Sequence, residues 1–328
     1  MRIARGLALL AGCWLGVVVS GAAAQGYADH PAAQSLIEEM VRTEGFDQAE
    51  LQALFADASR KDSILEAIAR PAEKTKPWHE YRDIFVTETR TQQGLEFAQR
   101  HAETLQRAER TYGVPAELIV AIIGVETRYG RNKGSYRVID ALSTLAFDYP
   151  PRSPFFSGEL RAFLVMTREQ GLPAAELKGS YAGAMGFGQF IPSSYRAYAV
   201  DFDEDGVVDI INNPVDAIGS VANYFKRHRW RPGLPVTAPA TVGDKFREEW
   251  MNDGLKPKRS LAVLATGGIF PTVEMAPDTL ATAMLLDGEA GEEYWLGWHN
   301  FYVITRYNHS AMYAMAVYQL SEAIRERL

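Results

Sequence analysis

Apolar residues recur at three- and four-residue steps through most of the first third of the chain. Leu95, Ala98, Ala102 and Leu105 form one such face, which predicts a helix from Gln93 to Tyr112. Gly113 and Pro115 then end that helix and open the next. The same period predicts helices over Ala32 to Arg42, Gln48 to Ala58, Ser157 to Gln170, Pro214 to Arg229 and Ser310 to Arg325. From Pro232 onward the texture changes. Thr and Val rise, and short runs such as Leu261 to Leu264 and Thr282 to Leu286 lie between Gly and Asp turns. That pattern predicts strands, with one short helix near Lys245 to Met251. Helical periodicity resumes after Asn308, so residues 232–297 read as a β-rich piece inserted into a helical protein. The expected class is mainly α, of the α+β type.

Composition narrows the picture without deciding it. With 328 residues, 47% hydrophobic and 23% charged, the chain has a globular makeup that excludes disorder, collagen and coiled coil. This length favours two or three packed units, or one unit with a large insertion, over a single core. The formal charge is −7. An acidic chain without a dense Lys/Arg face is a poor ligand for nucleic acid, which is gripped by clustered positive charge.

The first residues stand apart from the fold. Arg2 and Arg5 precede an apolar run from Leu7 to Val19, followed by Gly21-Ala22-Ala23-Ala24, the order of a secretory signal. The run is short for a membrane span. Cleavage is expected after Ala24, so residues 1–24 are removed and the mature protein is exported. Leu10-Ala11-Gly12-Cys13 also reads as a lipoprotein cleavage box, which would remove residues 1–12 and leave a lipid on Cys13. Cys13 is the one cysteine of the chain, so neither route leaves a disulfide in the folded part.

Three segments carry candidate chemistry. Glu126 ends the apolar helix that begins near Pro115, so its carboxyl is expected to leave the core at the mouth of a cleft. Lost solvent and the negative helix end would both raise its pKa, as suits a general acid for glycosidic cleavage. The alternative is a helix-end Glu paired with Arg128 or Arg131. The second segment, Gly179 to Ser194, interleaves four glycines with aromatics and Gln189. It permits close backbone approach to a sugar, or close helix packing, and its spacing fits no phosphate loop. The third segment places Asp201, Asp203, Asp205, the Val207 carbonyl and Asp209 at the ligand positions of a calcium EF-hand loop, with Gly206 at the sharp turn. Position twelve is Asn212 where that pattern wants a Glu. Asp216, in the first turn of the next helix, is placed to close a longer loop over residues 201–216, and the ion's role would be structural.

Gly124 to Gly130, Gly179 to Ser194, the acidic loop, Asp216 to Phe225 and Asn300 to Asn308 occur together and in order. In this they resemble the lytic murein transglycosylase B family across nearly all of the mature chain. The resemblance implies a lysozyme-like helical core (113–231 and 298–328), an N-terminal helical domain (27–112) and a small antiparallel β insertion (232–297). It implies cleavage of the bond between N-acetylmuramic acid and N-acetylglucosamine in peptidoglycan, with a 1,6-anhydro ring closing in place of water addition. Glu126 would be the sole acid and base. Ser180 and Gln189 map onto positions that bond the acetamido group or the catalytic carboxylate, and Asn308 lies beside the acid. Tyr81, Tyr224, Tyr307 and Tyr313, with Met185, would line the glycan groove. The expected location is the periplasm, or the outer membrane if Cys13 carries lipid. The expected partners are glycan strands, with peptidoglycan synthases as further candidates. Two other readings stay open: a hydrolytic muramidase using Asp140 or Asp148 as second carboxylate, and a non-catalytic, calcium-stabilised wall-binding protein. The histidines have no metal-ligand spacing.

Overall fold

The computed structural model describes residues 26–69 and 76–328. Both expected cleavage points, after Ala24 and before Cys13, lie outside the described residues. Helices Pro31–Glu44, Gln48–Asp57 and Asp62–Ile68 form the N-terminal part. His30 and Asp47 cap the first two through their side chains, and Gly45 ends the first in a left-handed turn. The predicted helix over 93–112 is in fact two, Glu88–Arg100 and Ala102–Tyr112. His101 leaves the helical region between them, with φ −116° and ψ 24°. The second helix is turned by this break, so Ala102 faces solvent while Leu105 and Ala108 are buried.

The helix Ala116–Thr127 occupies the centre. Residues 118–125 are all buried, which explains a hydrophobic run with no polar face. It packs against Ala311–Arg325, Glu88–Arg100 and Pro214–Arg227. Val138–Phe147 and Ser153–Glu169 pair beside it. A two-stranded ladder joins β1 (Tyr136–Arg137) to β2 (Lys178–Gly179) just before the glycine-rich segment. Asp140, almost wholly buried, ties the N-terminal helices to this core. It accepts from Arg137 at 2.7 Å and from the Ser59 amide at 2.9 Å. Asp148 takes Arg60 at 3.0 Å and the Tyr27 hydroxyl.

The strand-rich stretch forms one antiparallel sheet in the order β4-β6-β7-β3-β5. Its members are β3 (Thr237–Val242), β4 (Arg259–Ser260), β5 (Ile269–Pro271), β6 (Leu280–Gly288) and β7 (Gly291–Gly297). β6 is apolar on both faces. Ala281 and Ala283 join a local core with Leu261, Leu264, Ile269 and Leu296, whereas Met284 and Leu286 turn to the main core. The insertion is thus pinned by alternate residues of one strand. Two sequence expectations fail here. Leu261 to Leu264 is helical, within Leu261–Thr266, because the Ser260 hydroxyl caps the Val263 amide and burial falls on Leu261 and Leu264, three residues apart. The helix expected near Lys245 to Met251 shrinks to a 3-10 turn at Glu248–Trp250.

Candidate active site

Glu126 is half-exposed at the end of the buried central helix. The chain then turns sharply: Arg128, Tyr129 and Gly130 have φ of 50°, 60° and 83°. Three left-handed residues in a row are costly for the two that carry a Cβ. They leave the carboxyl at the rim while sending Arg128 away, where its Nε donates to Gln93 at 2.9 Å. Gly130 is required by a second contact, since a Cβ there would lie 2.1 Å from the Phe187 ring.

Tyr313, in the first turn of Ala311–Arg325, donates its hydroxyl to Glu126 Oε1 at 2.5 Å. The Ser310 hydroxyl caps that turn by accepting from the Tyr313 amide. Burial and then the Glu126 charge hold the phenols of Tyr313 and Tyr307 well above the ordinary tyrosine value, so both remain protonated donors. Tyr307 donates to the Gly188 carbonyl at 2.5 Å and Tyr224 to the Arg306 carbonyl. The Tyr224 and Tyr307 rings lie 4.7 Å apart, with Phe190 packed on both. Tyr81 neighbours Tyr313 and stacks on Trp78. Tyr81, Tyr224 and Tyr313 are buried, and only Tyr307 of the four is half-exposed. They form a wall behind the carboxylate, and the three buried ones do not present the groove-lining faces that the resemblance implied.

The glycine-rich segment closes the opposite side. The Thr127 hydroxyl donates to the Phe187 carbonyl at 2.9 Å, joining the segment to the residue after Glu126. Ser180 Oγ accepts from the Ala182 and Ala184 amides at 3.2 and 3.1 Å, which folds the chain into a tight turn. Gln189, at φ 50°, spends its amide nitrogen on the Gly186 and Lys133 carbonyls, and its side-chain oxygen has no partner among the described residues. Met185 corrects the sequence reading. It is fully buried and bridges Phe190 through the backbone, so it supports the segment from within and cannot line a groove. Asn308 is half-exposed next to Tyr307.

The acidic loop abuts this segment. Phe187 N donates to the Ile210 carbonyl at 3.0 Å, and a Cβ on Gly186 would lie 2.3 Å from that same oxygen. Carboxylate oxygens of Asp201, Asp203 and Asp216 lie within 4.8 Å of one another. Asp216 is buried, accepting from the Phe202 and Asp209 amides at 2.7 and 2.8 Å, and burial raises its carboxyl above the usual range. Asp205 and Asp209 do not join this trio: Asp205 caps Val207, and Asp209 caps Ile211 and Asn212. Three converging carboxylates repel one another unless a cation sits between them, and hard oxygen donors suit Ca2+.

The arrangement has close relatives. Residues 28–322 match the model of the transglycosylase SLT domain. The chain belongs to this transglycosylase family. It is 46% identical over 307 residues to the membrane-bound lytic murein transglycosylase B of Escherichia coli K12, covering 91% of this chain and 84% of that protein. The structure of soluble lytic transglycosylase SltB1 of Pseudomonas aeruginosa in its catenated form superposes with TM-score 0.88 at 54% identity, over 92% of this chain and 99% of that one. Escherichia coli lytic transglycosylase SLT35, 45% identical, superposes at TM-score 0.85 over 92% and 96%. It has been solved in complex with bulgecin A and in complex with calcium. The chain is accordingly a peptidoglycan lytic transglycosylase with a lysozyme-like fold.

In this transglycosylase two contributors escaped the sequence reading. Lys133 donates to the Ile211 carbonyl at 2.6 Å and lies over the Phe187 ring, clamping the glycine segment to the acidic loop. Thr127 was hidden because a Thr beside a Glu carries no motif of its own.

Proposed function

We propose that Glu126 alone serves as acid and base in cleaving the β-1,4 bond of peptidoglycan after N-acetylmuramic acid. Protonated Glu126 gives its proton to the glycosidic oxygen as the C1–O bond breaks. The substrate's own N-acetyl oxygen stabilises the cationic C1. The 6-hydroxyl then attacks C1, loses its proton to Glu126, and closes the 1,6-anhydro ring. Acid and base are regenerated and no water is consumed. The observation that carries this reading is the Tyr313 hydroxyl on Glu126 Oε1, which fixes one carboxyl group at the cleft rim. The Gln189 side-chain oxygen and Asn308 supply polar contacts for the acetamido group, and Ser180 supplies a hydroxyl proton beyond its two accepted bonds. A muramidase needs a second carboxylate, but Asp140 and Asp148 are committed to Arg137 and Arg60.

Asp201, Asp203 and Asp216 would hold Ca2+, with the Val207 carbonyl as a further ligand, and the ion would brace the glycine-rich segment through Ile210 and Ile211. A peptidoglycan substrate supports a periplasmic location for the mature enzyme, and the intact mass of the protein extracted from cells distinguishes a Gln25 start from a lipidated Cys13. The test of mechanism is mass spectrometry of sacculus digests: anhydro-muropeptides from the wild type and none from Glu126→Gln support it.

A further inference from the structure

A cavity of about 640 Å³ opens between the β insertion, the C-terminal end of Pro214–Arg227 and the N-terminal end of His299–Thr305. Arg229, Arg231 and Lys256 line it, and Asp278 is the only acid on its wall. None of the three cations forms an ion pair or a side-chain hydrogen bond among the described residues. In a chain of net charge −7 such a gathering of unspent positive charge is out of character. Leu234, Leu280 and Trp298 give it an apolar lining, and the buried indole N–H of Trp298 has no hydrogen-bond partner among the described residues.

Arg229 adds a second observation. It follows the end of the helix Pro214–Arg227 and adopts φ 69°, the left-handed conformation that helix ends usually give to Gly. Its carbonyl is held there by His299 Nε2 at 2.7 Å. An Arg at this position carries a backbone strain that Gly would not.

The cavity backs onto the aromatic wall of the active site. His228, on its wall, stacks on Tyr224 at 4.0 Å, and Tyr224 packs on Tyr307 at 4.7 Å. We propose that this cavity is a carboxylate-binding subsite for the peptide side chain of the glycan strand. The peptide's carboxylates would meet Arg229, Arg231 and Lys256, and its methyl and methylene groups would cover Leu234 and Leu280. This rests on the transglycosylase reading and deepens it by making peptide-bearing glycan the preferred substrate.

The test is equilibrium binding to the uncleaving Glu126→Gln protein of two probes, a GlcNAc-MurNAc oligomer with its peptides and the same oligomer without them. The expected result is binding about tenfold tighter for the peptide-bearing oligomer, lost on adding Arg229→Gly and Lys256→Ala. Because Gly relieves the left-handed strain, Arg229→Gly alone should not lower the melting temperature, which separates lost binding from lost fold. Equal affinity for the two probes, or a preference that survives the substitutions, overturns the proposal while leaving the cleavage reading intact. A sugar-free glutamate-rich peptide binding as tightly as the muropeptide also overturns it, and would assign the cavity to an acidic protein tail. Failure of both oligomers to bind would overturn both readings together.

Discussion

Tyr313 reaches Glu126 across 187 positions of sequence, and no spacing rule could have joined them. Glu126 itself was legible, because an uninterrupted apolar helix must deliver its first polar residue to an edge. The hydroxyl that holds it depends on how Ala311–Arg325 packs on Ala116–Thr127, a tertiary fact. Met185 shows the converse: a residue inside an unusual motif can serve the motif's own packing. Tyr313→Phe keeps the buried ring and removes only the hydroxyl. It should cost about 1 kcal/mol of stability. Turnover should fall on the order of tenfold, with KM little changed, if the hydroxyl positions the acid. Steady-state kinetics on soluble glycan, beside thermal melts, measures both.

At the scale of elements, period and punctuation placed Pro31–Glu44, Gln48–Asp57, Ala116–Thr127, Ser153–Glu169, Pro214–Arg227 and Ala311–Arg325 to within a few residues. They left Asp62–Ile68, Trp78–Phe85, Val138–Phe147, Pro192–Tyr198 and His299–Thr305 unread, and two of the other failures have specific causes. Four apolar residues at Leu261 to Leu264 have no period that separates strand from helix, and only Ser260, a capping residue, carried the answer. His101 offered no breaker signal comparable to Gly or Pro, so two helices read as one. The joint between the N-terminal helices and the core was invisible, since Asp140 and Asp148 resembled spare carboxylates. Their commitment to Arg137 and Arg60 makes them structural. Asp140→Ala should therefore destabilise by roughly 3 kcal/mol, because it strips a buried carboxylate from Arg137 and the Ser59 amide. The products of the remaining folded enzyme should still be anhydro-muropeptides. Denaturant melts give the first quantity and mass spectrometry the second.

At the scale of the whole molecule, the acidic loop, the glycine-rich segment and the Glu126 turn are packed in series. A cation at Asp201, Asp203 and Asp216 would thus act on the fold around the active site without touching substrate. Chelation should lower the melting temperature, added Ca2+ should restore it, and Asp216→Ala should abolish the response to both. Acid acts through other groups. Arg161 holds Glu39 below its usual value and Arg327 does the same for Glu88, while Lys258, then Arg259, depress Asp253. A depressed carboxylate stabilises the fold above its unfolded pKa, and that contribution is lost as pH falls through the folded value. Melting temperature should therefore decline below about pH 4.5. These pairs are surface-exposed, so the decline should be shallow and weaken further in high salt.

The central claim is that one carboxyl group, Glu126, breaks the glycosidic bond and closes the ring without water. Digestion of purified sacculi in 18O-labelled water, followed by mass spectrometry, tests it most directly. The account predicts anhydro-muropeptides free of label from the wild type and no soluble product from Glu126→Gln. Labelled reducing ends from the wild type, or undiminished release by Glu126→Gln, would contradict it.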